Sequence, residues 1–151
     1  MIEIQVDDAG WRAALPTAEA LAEAAAEASL AALSSAPRGD LVILLTNDAE
    51  VRDLNARFRG KDQPTNVLSF PAGANPHGHL GDVALALGVC AGEAAAQGKP
   101  LAHHLQHLVA HGVLHLVGYD HQDDGEAETM EALEREILAT LGVPDPYDDH
   151  A

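Results

Sequence analysis

Residues 111–121 read His111-Gly112-Val113-Leu114-His115-Leu116-Val117-Gly118-Tyr119-Asp120-His121. Because His111 and His115 are four positions apart, a helix places both side chains on one face. Gly118 permits the left-handed turn that ends a helix, and the reversal brings His121 back toward the same point. Three imidazoles with room for a water are typical of a catalytic metal centre rather than a closed structural one. The stretch therefore predicts a metal site formed by His111, His115 and His121.

The spacing of these residues is also that of the metzincin zinc peptidases, H-E-x-x-H-x-x-G-x-x-H, in which the glutamate is the general base. Every ligand and the glycine match, but Gly112 stands at the position of the glutamate. Because glycine cannot accept a proton, the pattern predicts a zincin-like metal helix and argues against peptide hydrolysis by that mechanism. A peptidase-like or esterase-like metallohydrolase stays open as an alternative.

The histidine helix is predicted to be buried, since His111 and His115 are its only polar residues between Leu108 and Gly118. A lone buried histidine usually bonds a backbone carbonyl, but a pair at this spacing with a third histidine after a glycine turn favours a metal. Zinc suits such a site, as do nickel, copper and iron.

Length, charge and cysteine content limit the class of protein. The chain has 151 residues and a formal net charge of −16, and this length suffices for one domain with a sizeable core. No apolar run approaches the roughly 20 residues of a membrane-spanning helix, and residues 1–6 lack the features of a secretion signal. Cys90 is the only cysteine, which excludes an internal disulfide. We therefore expect a cytoplasmic protein with no membrane partner.

The basic residues are few and unevenly distributed. A strongly acidic protein repels nucleic acid overall, yet four of the eight basic residues fall within ten positions: Arg52, Arg57, Arg59 and Lys61. This cluster is compatible with a phosphate-bearing ligand and makes Arg57 and Lys61 candidate substrate-binding residues. The alternative is an ordinary solvated helix end.

Hydrophobic periodicity and turn residues predict four strands and five helices. The strands are expected at about residues 2–6, 41–45, 66–70 and 82–87, and the helices at about 17–34, 47–58, 89–97, 100–117 and 124–141. This order predicts an α/β (α+β) fold with a single mixed sheet of about four strands covered by about five helices. Residues 1–151 are expected to form one metal-dependent hydrolase domain, with residues 145–151 as a frayed acidic tail.

Several segments resemble those of one bacterial family, the metal-dependent endoribonucleases and rRNA maturation factors called YbeY. The resemblance rests on the histidine motif, on Leu54-Asn55-Ala56-Arg57-Phe58-Arg59-Gly60-Lys61-Asp62-Gln63-Pro64-Thr65-Asn66-Val67-Leu68-Ser69-Phe70-Pro71, on Leu80-Gly81-Asp82-Val83 and on Met130-Glu131-Ala132-Leu133-Glu134. One departure is visible at Asn66, where family members frequently have aspartate, so a charged role there is not carried over.

The resemblance implies a single α/β domain with one zinc ion held by His111, His115 and His121. It also implies that Arg59 lies in the cleft and is important for activity. The implied activity is cleavage of single-stranded RNA, with roles in maturing the 3′ end of 16S rRNA and in ribosome quality control. The implied partners are the 16S rRNA precursor and the small ribosomal subunit with its proteins.

The residue types agree with phosphodiester cleavage. Zinc on three neutral imidazoles can lower the pKa of bound water from 15.7 to about 7, or polarise a phosphoryl oxygen. Arg59 could contact the equatorial oxygens in bidentate fashion, although a helix C-terminal arginine also interacts with the helix dipole. Asp120 is a candidate to orient a ligand imidazole, or else forms a turn. Asp82 is a candidate supporting carboxylate, or else only a strand-start residue.

The remaining polar residues receive structural expectations. His103 and His107 are expected to be partly exposed non-ligands, His104 has no partner that the pattern identifies, and Ser69 is expected to have a structural role. Five aromatic residues are too few for base-stacking recognition of sequence. A third interpretation is a ribosome-associated binding factor with a structural metal, whose acidic surface meets basic ribosomal proteins.

Overall fold

The computed structural model describes residues 2–33, 39–72, 78–119 and 123–147. Within these ranges it contains four strands and six helices. The strands are β1 (Ile2–Val6), β2 (Asp40–Thr46), β3 (Val67–Pro71) and β4 (His79–Ala86). The helices are α1 (Gly10–Ala14), α2 (Ala18–Ala31), α3 (Asp48–Arg59), α4 (Leu87–Gln97), α5 (Leu101–Leu116) and α6 (Asp124–Thr140).

The four strands form one mixed sheet in the order β1-β2-β4-β3. Strands β1, β2 and β4 run parallel, and β3 pairs antiparallel with β4 at the edge of the sheet. The predicted α/β fold with a single mixed sheet covered by helices is confirmed. No helix in the described ranges is both long and apolar enough to span a membrane.

Helices cover both faces of the sheet, and side-chain alternation along the strands decides which residues meet them. One face packs against α2 and α5 and contains the largest group of buried side chains, including Leu41, Ile43, Leu45, Val83 and Leu85. The other face packs mainly against α3, with Val51, Leu68 and Ala84 at its centre. Helix α6 lies on the outer side of α5, where Ala110 and Leu114 meet Met130 and Ile137.

The helix ends follow local sequence signals. The Asn47 side chain caps α3 by accepting a 2.8 Å hydrogen bond from the Glu50 N–H, and Gly60 ends the same helix with a left-handed φ of 70°. Helix α2 ends at Ala31, three residues before its predicted end.

Helix α1 was not predicted. It has only five residues, too few for an apolar stripe, and Trp11 is its sole buried residue. The Trp11 indole N–H donates to the Thr46 carbonyl at 2.8 Å, which anchors this short helix to the end of β2.

Helix α5 lies tightly against the sheet at Gly112. The Ser69 hydroxyl donates a 2.9 Å hydrogen bond to the Gly112 carbonyl. A Cβ atom at position 112 would lie 2.7 Å from Val83 Cγ1 and 3.2 Å from Ser69 Oγ. Glycine at this position therefore lets the helix lie directly on β3 and β4, and the expected structural role of Ser69 is this bond to the helix.

We expect Gly112→Ala to lower the free energy of unfolding by about 1–3 kcal/mol, because the added methyl group overpacks the interface between α5 and the sheet. Urea denaturation measures the change. The control is Gly92→Ala in α4, where a Cβ would meet no atom within 4 Å. This variant should gain about 0.5–1 kcal/mol from helix propensity alone. Equal gains in both variants would contradict the tight contact.

Cys90 lies on the core-facing side of α4 and is fully buried. Burial raises the pKa of its thiol to about 12, and the negative charges of Glu93 and Asp48 add to the effect. Since the thiolate is the nucleophile, Cys90 is a structural residue and not a candidate catalytic group.

At pH 8 we expect the thiol of native Cys90 to resist Ellman's reagent over the time in which guanidinium-unfolded protein reacts completely. The thiol is buried and stays protonated below its raised pKa of about 12, whereas the unfolded chain exposes an ordinary thiol. Absorbance of the released thionitrobenzoate measures the reaction. Rapid stoichiometric labelling of the native protein would show that the core around Cys90 is open.

Candidate metal centre

His111 and His115 lie in the last two turns of α5 with their imidazoles facing each other. Their Nε2 atoms are 3.1 Å apart, and the ring planes are inclined at 81°. Two nitrogens bound at 2.0–2.1 Å to one tetrahedral zinc would be about 3.3 Å apart. The observed separation therefore fits two ligands of a single metal ion, as the i, i+4 spacing predicts.

The third predicted ligand, His121, and its neighbour Asp120 fall outside the described residues. Within the described ranges no group of three His, Cys, Asp or Glu side chains could hold a metal. The third ligand and the orienting role of Asp120 thus stay predictions. The chemistry of the described pair fits zinc, for which neutral imidazole nitrogens are common ligands.

A cavity of about 560 Å³ opens beside the two histidines. It lies at the edge of the sheet, between β3 and the C-terminal half of α5. Its lining consists of Arg59, Asn66, Val67, Leu68, Ser69, Pro71, His111, His115, Gly118 and Tyr119. The structure thereby brings Arg59 together with His111 and His115, although more than 50 residues of sequence separate the arginine from them.

Arg59 lies at the rim of this cavity, where its side chain binds the backbone of β3. Its Nη2 donates a 2.7 Å hydrogen bond to the carbonyl oxygen of Ser69 on β3, and its guanidinium carbon lies 5.9 Å from the centroid of the Phe70 ring. The bond occupies one of five N–H donors. Among the described residues no carboxylate forms an ion pair with Arg59, so its positive charge faces the cavity without a local counter-ion.

The other basic residues of α3 are placed differently. Arg57 Nη1 donates to Asp53 at 3.2 Å, and Arg52 binds Asp62 through two hydrogen bonds of 2.8 and 3.2 Å. Neither Arg57 nor Lys61 lines the cavity. The predicted basic patch is therefore partly neutralised by its acidic neighbours, and the two candidate substrate-binding residues lie outside the space next to the histidines.

Asp82 lies on the opposite face of the sheet from the histidines. Its neighbour Val83 faces α5, and adjacent strand residues point to opposite sides. Asp82 lines a second concavity with Val42 and Leu44, and its Oδ1 is 3.1 Å from His79 Nε2. Strand alternation therefore places Asp82 away from the described histidines, and a supporting role for it in the cleft stays a prediction.

Glu134 is the residue at this site that the motif analysis missed. Although it is a carboxylate, only 1% of its surface is exposed. Its Oε1 accepts a 2.7 Å hydrogen bond from His107 Nε2 and a 2.9 Å bond from the Tyr147 hydroxyl, and His111 Nδ1 lies 3.4 Å away. Its Oε2 has no hydrogen-bond partner among the described residues.

The protonation state of Glu134 follows from these contacts. Burial raises the pKa of its carboxyl, but hydrogen bonds from His107 and His111 outweigh burial and lower the pKa to about 2. Glu134 is thus an ionised carboxylate at neutral pH. A sequence signal for it existed, because Glu134 interrupts the apolar stripe of α6 between Met130 and Ile137.

His107 is partly exposed, as expected, with 14% of its side chain accessible, and its Nε2 donates to Glu134. One expectation changes with this network. The frayed tail predicted from residue 145 is wrong for residues 145–147, since Arg135 binds Asp145 at 3.1 Å and Tyr147 binds Glu134. Residues 148–151 lie outside the described ranges.

A second network of hydrogen bonds lies at the start of β3. The Asn66 Oδ1 accepts a 2.7 Å hydrogen bond from the Val67 N–H, and its Nδ2 donates to Glu93 Oε1 at 2.9 Å. The Glu93 oxygen also lies 2.9 Å from Nε2 of the buried His104, which therefore has a partner after all. Asn66 acts here as donor and acceptor at once, and an ionised aspartate could not donate to Glu93.

The chain is similar to known proteins over most of its length. A family model described as Endoribonuclease YbeY matches residues 4–142. A protein named Endoribonuclease YbeY from Azorhizobium caulinodans is 55% identical, with 97% of this chain and 95% of that protein covered. A protein of the same name from Maricaulis maris is 50% identical, with 97% and 91% covered.

A solved structure shares the fold. The solution structure of TM1509 from Thermotoga maritima matches with a TM-score of 0.61 and 25% sequence identity, covering 99% of this chain and 97% of that one. The family model spans most of the chain, and the relatives named above match it over nearly its whole length. The chain therefore belongs to the endoribonuclease YbeY family.

Proposed function

We propose that this protein is a zinc-dependent endoribonuclease that cleaves single-stranded RNA in the cavity between β3 and α5. The observation that carries the proposal is the presence of His111, His115 and Arg59 around one cavity. A pair of imidazoles placed to bind a metal, beside an arginine that forms no ion pair with any described carboxylate, is suited to a phosphodiester, whose charge increases on the non-bridging oxygens during cleavage. Membership of the endoribonuclease YbeY family supports RNA as the substrate.

The chain's own residues divide the work between metal binding and phosphate binding. His111 and His115 would hold one zinc ion together with His121. When bound, zinc supplies a Lewis acid that stabilises negative charge at the scissile phosphate. Arg59 binds the phosphate oxygens from the rim, because its bond to Ser69 fixes the direction of the guanidinium. Arg57 and Lys61, which lie outside the cavity, contact phosphates of the RNA further from the scissile bond.

The biological substrate that we propose is the precursor of 16S rRNA, cut during maturation of its 3′ end, and the proposal extends to ribosome quality control in the cytoplasm. The net charge of −16 opposes free diffusion onto bare RNA. It favours contact with basic ribosomal proteins, so we propose the small ribosomal subunit as the partner that presents the RNA.

The peptidase alternative is disfavoured by two contacts. A glutamate at position 112 would have to pass through Val83 and Ser69, which lie within 3.3 Å of the Cβ position. An extended peptide would pair with the edge strand β3, but Arg59 already occupies the Ser69 carbonyl on that strand. The binding-factor alternative, with a structural metal, predicts no turnover.

We expect Arg59→Ala to reduce kcat/KM for a single-stranded RNA by about 10²–10³-fold, since it removes a positioned donor to the developing charge. The measurement is cleavage of a fluorescently labelled oligoribonucleotide, with zinc content and thermal unfolding recorded for each variant. Arg12→Ala is the charge-matched control, because Arg12 is exposed and pairs with Glu19 at 2.7 Å. It should cleave at the wild-type rate.

Removal of the metal is the companion test. A chelator should abolish cleavage by the wild type, and added zinc should restore it. Full activity of Arg59→Ala would exclude the arginine from the reaction. Turnover that survives metal removal would exclude a metal-dependent mechanism. An absence of RNA cleavage by zinc-loaded wild type would favour the ribosome-associated binding factor.

A further inference from the structure

Three hydrogen-bond donors surround one oxygen of Glu134. His107 Nε2 and the Tyr147 hydroxyl lie 2.7 and 2.9 Å from Oε1, and His111 Nδ1 lies 3.4 Å from the same atom. Glu134 is also the only carboxylate among the buried residues of the described ranges. Burial of a carboxylate costs free energy unless the group is paired. A carboxylate between α5 and α6 therefore indicates a role other than packing.

The contacts determine which nitrogen of His111 carries the proton. Glu134 Oε1 accepts the bonds from His107 Nε2 and the Tyr147 hydroxyl, so the His111 nitrogen that faces the same oxygen at 3.4 Å, Nδ1, is placed to carry the N–H. The lone pair then resides on Nε2, the atom that lies 3.1 Å from Nε2 of His115. Glu134 therefore selects the form of His111 that can bind a metal on the cavity side.

We propose that Glu134 is a positioning residue for the metal ligand His111, holding its ring and its tautomer so that Nε2 faces the metal. This inference rests on the proposed metal site. Metal-bound histidines commonly donate their second N–H to a carboxylate, which fixes the ring and makes the ligand more basic. The carboxylate comes from α6, whereas the histidine comes from α5.

Tyr147 and His107 hold Glu134 in place. The Tyr147 hydroxyl lies 2.9 Å from Glu134 and 3.3 Å from His107 Nε2, so the three side chains form one compact group. With two fixed donors on Oε1, the carboxylate cannot rotate away from His111 without leaving both unpaired. Tyr147 and His107 therefore act on the metal ligand through Glu134 and do not touch the metal.

The first test is the zinc affinity of Glu134→Gln, measured by titrating zinc-loaded protein with a chelator of known affinity. Glutamine keeps the size of the side chain but removes the charge that selects the His111 tautomer. We expect zinc to bind about 10–100-fold more weakly. The control is Glu136→Gln, which removes one charge from an exposed position of the same helix and should bind zinc as the wild type does.

A second readout separates positioning from general stability. In metal-free protein at pH 8, long-range ¹H–¹⁵N spectra distinguish the two imidazole tautomers. The wild type should show His111 as the Nδ1–H form, and Glu134→Gln should show a population of the Nε2–H form. A loss of stability alone would leave the tautomer of the folded protein unchanged.

The outcomes are distinct. Wild-type zinc affinity in Glu134→Gln would overturn the positioning role and leave the proposed function intact. A wild-type protein that binds no zinc would overturn the proposed metal site itself. If Glu134→Gln does not fold, Tyr147→Phe decides. A weakening of zinc binding by threefold or more supports the role of the network, and unchanged binding overturns it.

Discussion

The contact between α5 and the sheet at Gly112 is the constraint on which the site depends. Val83 and Ser69 touch the helix where a side chain is missing, and the Ser69 hydroxyl binds the Gly112 carbonyl. Because a helix is rigid and its residues are set 100° apart, this contact fixes its rotation. His111 and His115 are thereby directed past the edge of β3 and toward Arg59.

The buried carboxylate of Glu134 is the second element of this arrangement. The sheet orients α5 from one side, and Glu134 on α6 orients one of its histidines from the other. Because Tyr147 binds the same carboxylate, the segment after α6 belongs to the support of the site and not to its surroundings. Buried polar groups of this kind are stable only when their donors and acceptors are matched.

Local sequence patterns predicted the secondary structure and the histidine pair, whereas residue roles that depend on tertiary contacts were not predicted. The i, i+4 histidines, the glycine turns and the alternating strands identified α5 and a single mixed sheet, but not the order of the strands within it. Arg59 was placed in the cleft by resemblance, since no periodicity relates it to α5. The role of Glu134 and the partner of His104 depend on side chains from different helices, which no single window of sequence contains. For Asp82, strand alternation alone indicates a side chain on the face opposite to that of Val83.

The bonds that shape the cavity also close an edge of the sheet. An edge strand presents unpaired backbone groups to which a strand of another molecule can add. On β3 the Val67 N–H is taken by the Asn66 side chain and the Ser69 carbonyl by Arg59, while Pro71 has no N–H to offer. The edge beside the cavity is thus a poor template for association between molecules, because Arg59 and Asn66 occupy backbone groups that a strand of another molecule would need.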